Sequence, residues 1–145
     1  DQLLRALAET ENTRKRAERD RDDTAKFAVS NFARDMLAVA DNLKRAVDSV
    51  PADAKAGNAA LATLLEGVEL TDRQVASLFE KHGIQRLAPI DQPFDPNLHQ
   101  AMFEVPGTGK PAGTVVQVLQ AGFTIHGRLL RPAMVGVAKG DPNPS

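Results

Sequence analysis

The chain has no cysteine, no tryptophan and no tyrosine, and only six phenylalanines in 145 residues. Without cysteine there is no disulfide, no thiolate metal site and no cysteine nucleophile. That fits a reducing compartment. So few aromatics argue against a large aromatic-lined pocket. No apolar run approaches the roughly 18 residues that a membrane span needs, and no signal-peptide pattern is visible. Neither sign of charge dominates, with 18 Lys+Arg against 19 Asp+Glu. The balance is also flat along the chain: ten bases and ten acids in residues 1–50, three and five in 51–83, five and four in 84–145. No segment is basic enough to read as a nucleic-acid surface.

Glycine and proline are missing from residues 1–50. A single helix over that span would measure roughly 75 Å at 1.5 Å per residue. Its two halves differ. From Phe32 the apolar spacing is a heptad seam: Phe32, Met36, Val39, Leu43, Ala46 and Val50. That is the pattern of a helix packing on other helices. From Thr10 to Thr24 the only apolar residue is Ala17. A helix that is polar all round depends on ion pairs or partners. Glu11–Lys15 and Glu18–Arg21 have suitable spacing, each contributing a few tenths of a kcal/mol. Leu3, Leu4 and Leu7 give a second, thin contact point.

Pro51 ends the first helix, and "PADAKAGN" reads as a loop. A second helix is predicted over about 59–82, with Leu61, Leu64, Leu65, Val68, Val75, Leu78 and Phe79 as its apolar stripe. Gly83 fits a left-handed C-terminal cap. Gly67 inside this helix costs on the order of 1 kcal/mol relative to Ala. Close helix packing and close approach by a partner are both open as its reason. After Gly83, short β-like runs appear between most of the Pro and Gly: "IQRLAPI", "AMFEV", "TVVQVLQAGFTI" and "RLLRPAMVGVA". Residues 140–145 read as a disordered tail.

The fold class is therefore α+β. A long helix (1–50) leads into a helical bundle. A loop and second helix (51–83) complete the bundle segment, and a small all-β unit (84–139) follows. One short helix cannot cover the seam of so long a partner. A homodimer is expected, with a four-helix bundle whose core is Phe32, Met36, Val39, Leu43, Leu61, Leu64, Leu65, Val68, Val75 and Leu78.

The candidates for chemistry are weak. "GTGKPAGT" (107–114) looks like a phosphate loop, but Lys110 is followed by Pro111 and then a strand, where a P-loop needs Ser or Thr opening a helix. It reads as a strand-connecting loop. His82, His99 and His126 are scattered and carry no zinc spacing. No Gly-x-Ser-x-Gly elbow is present. Asp91 and Asp95 flank Pro93 in a turn-rich loop, where Asp95 turns the chain. In "TRKRAERDR" acids interleave with bases, which a phosphate-binding arm would not tolerate. No enzyme activity, metal or cofactor is indicated.

"GFTIHGRLLRPAMV" (122–135) reads as a hairpin turning at His126-Gly127. That register pairs Ile125 with Arg128, Phe123 with Leu130 and Leu119 with Met134. On the other face Thr124 meets Leu129, Val118 meets Val135 and Val116 meets Val137. Both faces are largely apolar, so one must be covered or offered to a partner.

"FDPNLHQAMFEV" (94–105), "GTVVQVLQAGFTIHGRLLRPAMV" (113–135), "LAVADNLKRA" (37–46) and "EGVELT" (66–71) together closely resemble the GrpE family, the nucleotide exchange factors of DnaK-type chaperones. The likeness runs from about Glu11 to Lys139. It implies a parallel dimer with a paired-helix stalk, a four-helix bundle and two β-wings, acting in the bacterial cytoplasm. One wing engages the chaperone's nucleotide-binding domain, opens its cleft and lets ADP leave. No cofactor, nucleic acid or membrane is involved. Carried onto this chain, the resemblance makes Arg128 the leading chaperone contact. Leu119, Gly122, Val137, Pro96 and Asn97 follow on the wing, and Arg14, Lys15, Phe27 and Gly67 on the helices. Thr13 departs from the family, which commonly has an apolar residue there. The thin seam implies a stalk that melts before the bundle and wing, which would act as a thermosensor. Nothing here matches the family's disordered segment ahead of the stalk. Two other readings compete: a dimeric coiled-coil scaffold for some other protein, and a small phosphate-binding enzyme built on "GTGK".

Overall fold

The computed structural model describes residues 1–140; apart from Gly140, the tail expected to be disordered lies outside them. The elements are α1 (Gln2–Phe27), α2 (Ser30–Asp48), a 3-10 turn (Ala54–Gly57), α3 (Ala59–Lys81), and six strands. The strands are β1 (Ile84–Leu87), β2 (His99–Val105), β3 (Val115–Gln120), β4 (Gly122–Ile125), β5 (Arg128–Arg131) and β6 (Ala133–Ala138). This is an α+β fold.

The single helix expected over 1–50 is broken at Ala28–Val29. Val29 leaves the helical basin at φ −90°, ψ 4°. No glycine or proline marks the place. Phe27, the last residue of α1, instead packs against the core that α2 shares with the first sheet, so the break falls where the helix meets the wing. Upstream of it α1 buries no residue. The Glu18–Arg21 pair expected there does not form among the described residues. Glu18 instead accepts from Arg14 at 2.6 Å, and Arg14 also holds Glu11 at 2.7 Å. The Glu11–Lys15 pair does form, at 3.8 Å.

α2 carries two apolar faces. The heptad seam is one of them, and within the chain it is largely uncovered: Phe32 is 68% exposed and Val39 is also exposed. The buried residues of α2 are Ala33 and Leu37, on the neighbouring face. On α3 only Leu65 is buried, while Leu64 and Leu78 are exposed. Met36, Leu43, Leu61, Val68 and Val75 are half-buried. Leu65 apart, the predicted bundle residues are thus not part of the single chain's buried core. That core belongs to α2's other face, because the wing packs there.

α3 begins on Asn58, whose side chain accepts from Leu61 N at 3.1 Å, an N-cap of the favoured kind. It ends as expected, with Gly83 at φ +77° and its N–H on Glu80 O.

The strands form two three-stranded sheets, β1-β4-β5 and β2-β6-β3. β2 runs parallel to β6 and the other pairs are antiparallel. The long hairpin expected from β3 to β6 exists, but it turns a corner between the sheets at Ala121 and Pro132. Proline has no N–H for the ladder, and Gly122 lets the two strands cross closely. A Cβ on Gly122 would collide with the backbone N of Ala133 and the carbonyl of Arg131. The expected register holds at Ile125–Arg128, Thr124–Leu129 and Val118–Val135. It slips elsewhere, with Phe123 opposite Arg131, Gln120 opposite Met134 and Val115 opposite Val137. Bulges at the corner absorb the difference. One core cluster joins α2 to the first sheet through Ala33, Leu37, Ile84, Phe123, Ile125 and Leu130, with Phe27 and Phe79 against it. A second, around Val115, Ala133, Val135 and Val137, lies within the wing.

Candidate partner-binding surface

His126 and Gly127 both have positive φ, 46° and 81°, as a type I′ turn requires. The histidine is turn chemistry. Its ring also packs edge-on to Phe27, with centroids 6.0 Å apart, and it lies so close to Gly83 that a Cβ there would strike the imidazole. Arg128, two residues on, is exposed and lays its guanidinium over Phe27, 3.7 Å from the ring centroid. The field of an aromatic face attracts a cation there. The hairpin tip, the end of α1 and the end of α3 therefore meet at one place. Arg128 and Phe27, about a hundred residues apart, form a single feature, with the arginine exposed and the ring beneath it half-buried.

The other sequence candidates scatter. Leu119 is exposed on β3, beside a groove of about 660 Å³ between α2, α3 and the wing. Gly122 and Val137 are buried. Val137 sits in the wing's own core, and neither presents a side chain outward. Pro96 and Asn97 are exposed in a turn that closes on itself. Asn97 N donates to Asp95 Oδ1 at 2.9 Å, and His99 N donates to Asp95 O at 2.8 Å. His99 is buried and accepts from Asp95 N on Nδ1 at 2.9 Å. "DPNLH" is thus a self-satisfied turn, and no cluster of metal-ligating residues occurs among the described residues.

Arg14 and Lys15 lie on α1, roughly 18–20 Å of helix from Phe27 at 1.5 Å per residue. Both are exposed. The Arg14 guanidinium holds Glu11's carboxyl below the usual carboxylate range. Gly67 faces open space, with nothing within 4 Å of where its Cβ would stand. Within the chain no helix packs closely on it, so that reason for the glycine is not met here. In the "GTGK" loop, Lys110 pairs with Asp91, and the segment connects β2 to β3 as the sequence indicates.

The sequence assigns Arg131 no role. Its guanidinium donates to both carboxylate oxygens of Asp41 on α2, at 2.6 and 2.9 Å, and to Ala121 O at 2.6 Å. Gln120 donates to the same carboxylate at 3.2 Å. The side chains of Arg131 and Asp41 are only 19% and 22% exposed. "LAVADNLKRA" contains Asp41, but nothing in its spacing announces a partner 90 residues away.

No described helix is long and apolar enough to cross a membrane. A broken long helix, a helical pair with apolar side chains left exposed and a two-sheet β unit define an α+β protein. The chain belongs to the GrpE family, whose model matches residues 1–139. It is 58% identical to "Protein GrpE" of Rhizobium etli, over 99% of this chain and 69% of that protein. It is 59% identical to the Mesorhizobium japonicum protein of that name, over 98% of this chain and 68% of the relative. For the Brucella anthropi protein of that name the identity is 58%, over 98% of this chain and 62% of the relative.

Proposed function

We propose that this chain is a nucleotide exchange factor, a co-chaperone that binds the ATPase domain of a DnaK-type chaperone and accelerates ADP release. It does no covalent chemistry and uses no cofactor. Catalysis of exchange needs only tighter binding to the chaperone's open form than to its closed form. The observation that carries the reading is exposed Arg128 stacked over half-buried Phe27. Both residues were named as contacts on separate segments, and they lie together at the wing tip. Stopped-flow release of labelled ADP, with and without this protein, tests it. Arg128→Ala is expected to weaken chaperone binding about tenfold, the scale of an arginine anchor, with the oligomer intact. Unchanged acceleration by that variant would remove Arg128 from the surface.

The working unit is a homodimer. Phe32, Val39, Leu64, Leu70 and Leu78 are exposed on α2 and α3, more apolar side chain than the surface of a lone chain ordinarily shows. The unit acts in the bacterial cytoplasm without nucleic acid or membrane. α1 also acts as a thermosensor. It buries nothing, so packing offsets little of its chain entropy, and it melts before the bundle and wing. Far-ultraviolet circular dichroism should show an early reversible step, with calorimetry placing the second transition higher. A single coincident transition would exclude the thermosensor.

A further inference from the structure

The wing is joined to α3 covalently through Gly83, and to α2 by contacts alone. Those contacts fall on one face of α2, at Ala33, Arg34, Leu37 and Asp41, over three successive turns. Arg34 Nε donates to Leu130 O at 3.2 Å. Leu37 is 1% exposed within the shared core. Asp41 receives the two-pronged guanidinium of Arg131. Leu130 and Arg131 are consecutive, at the end of β5 where the ribbon turns its corner. Arg131 also ties that corner to itself through Ala121 O, and Gln120 adds a further bond to Asp41. Apolar contacts let one surface slide over another. A bidentate Arg–carboxylate pair has one geometry and resists rotation.

We infer that Arg131 and Asp41 are positioning residues: their ion pair fixes the angle of the wing on α2, so that load at the Arg128 tip reaches the helices instead of bending the wing at its corner. This rests on the exchange reading above. Neither residue lies at the tip, and the pair is mostly enclosed, so its action on a chaperone is indirect. A wing that rocks still docks its tip, but transmits less of the docking free energy to the partner's cleft. The signature is a split between binding and turnover.

The experiment uses the full chain carrying Asp41→Asn, which keeps the shape and one acceptor, and in parallel Arg131→Lys, which keeps the charge and loses the fork. Chaperone affinity should stay within about twofold of wild type, while the maximal ADP-release rate at saturating protein falls about tenfold, the upper range for residues that modulate coupling without touching ligand. Spin labels at the exposed positions Asn42 and Gln117, in chains diluted with unlabelled protein, report the wing angle directly. The distance distribution should broaden in both variants. An unchanged, narrow distribution overturns the clamp whatever the exchange result. A broadened distribution with an unchanged maximal rate overturns its role in exchange. If wild type itself releases no ADP, the exchange reading fails and the positioning role fails with it, while broadening still shows that the pair holds the wing. Should Arg131→Lys fail to fold, the milder Asp41→Asn decides on the same two measurements.

Discussion

Twenty-six residues of α1 pass without one being buried, while all four residues of β4 are buried. The two regions are held in different ways. α1 stands on backbone hydrogen bonds and i,i+3 or i,i+4 ion pairs between exposed side chains, each weak in open solvent. The wing stands on apolar burial, bulged pairing and the Arg131–Asp41 pair. Stability in α1 is therefore local and divisible. In the wing it is shared, because each core cluster draws its residues from more than one strand. A substitution should be felt in proportion to how much of this sharing it interrupts.

The largest expected effect is at Leu37, which joins α2 to the first sheet. Leu37→Ala should lower unfolding stability by about 2–5 kcal/mol, read from urea denaturation of the chain. Thr10→Ala in α1, where the hydroxyl only bonds back to Ala6 O, should change it by less than about 0.5 kcal/mol. Comparable losses at the two sites would end the contrast between local and shared stability.

Leu37 also shows what the sequence could and could not yield. Periodicity picked out Phe32, Met36, Val39 and Leu43 because they are large and evenly spaced. The face the chain buries for itself holds Ala33, whose side chain is small, and Arg34 and Asp41, whose side chains are charged, so it carries a weak apolar signal. Spacing reveals that a face is apolar but not which body covers it. Local chemistry was legible: His126-Gly127 as a turn, Gly83 as a cap, the strands between their Gly and Pro boundaries. The corner had a visible sign in Pro132, yet its consequence, two sheets in place of one ribbon, depends on pairing with β1 and β2. The break at Ala28–Val29 had no sign: no glycine or proline marks it, and Phe27 beside it meets a hairpin a hundred residues on. The same holds for Arg131 and Asp41. Of the surface candidates, Arg128 and Phe27 were named from resemblance, but their meeting is a tertiary fact.

Two glycines sharpen the comparison at intermediate size. Gly122 sits at the corner of the wing with backbone pressed against it, and Gly122→Ala should destabilise by about 1–3 kcal/mol through overpacking. Gly67 stands in a helix facing open space. Gly67→Ala should stabilise the chain by up to about 1 kcal/mol, from helix propensity alone. Thermal denaturation of both variants checks the signs. A loss at Gly67 would mean that something approaches that face in solution, a second copy or a partner, and dilution of the protein would tell which.

The smallest expected effect is the pH response of α1. The hydrogen bond from Arg14 is the main cause lowering Glu11 from its ordinary value of 4.5. A carboxylate depressed in the folded state stabilises that state above its unfolded pKa and ceases to do so as pH falls through the folded value. α1 should thus keep its helicity from neutral pH down to about 4.5 and lose part of it below. The pair is exposed, so salt should shrink the effect. α1 carries other acids besides Glu11, which makes the useful quantity a difference. Glu11→Gln removes this one acid, and its far-ultraviolet ellipticity should fall less steeply with acid than that of wild type. The wing gives a control in the same spectrum. If acid loosens the wing as readily as α1, the local ion pairs are not what distinguishes the two regions.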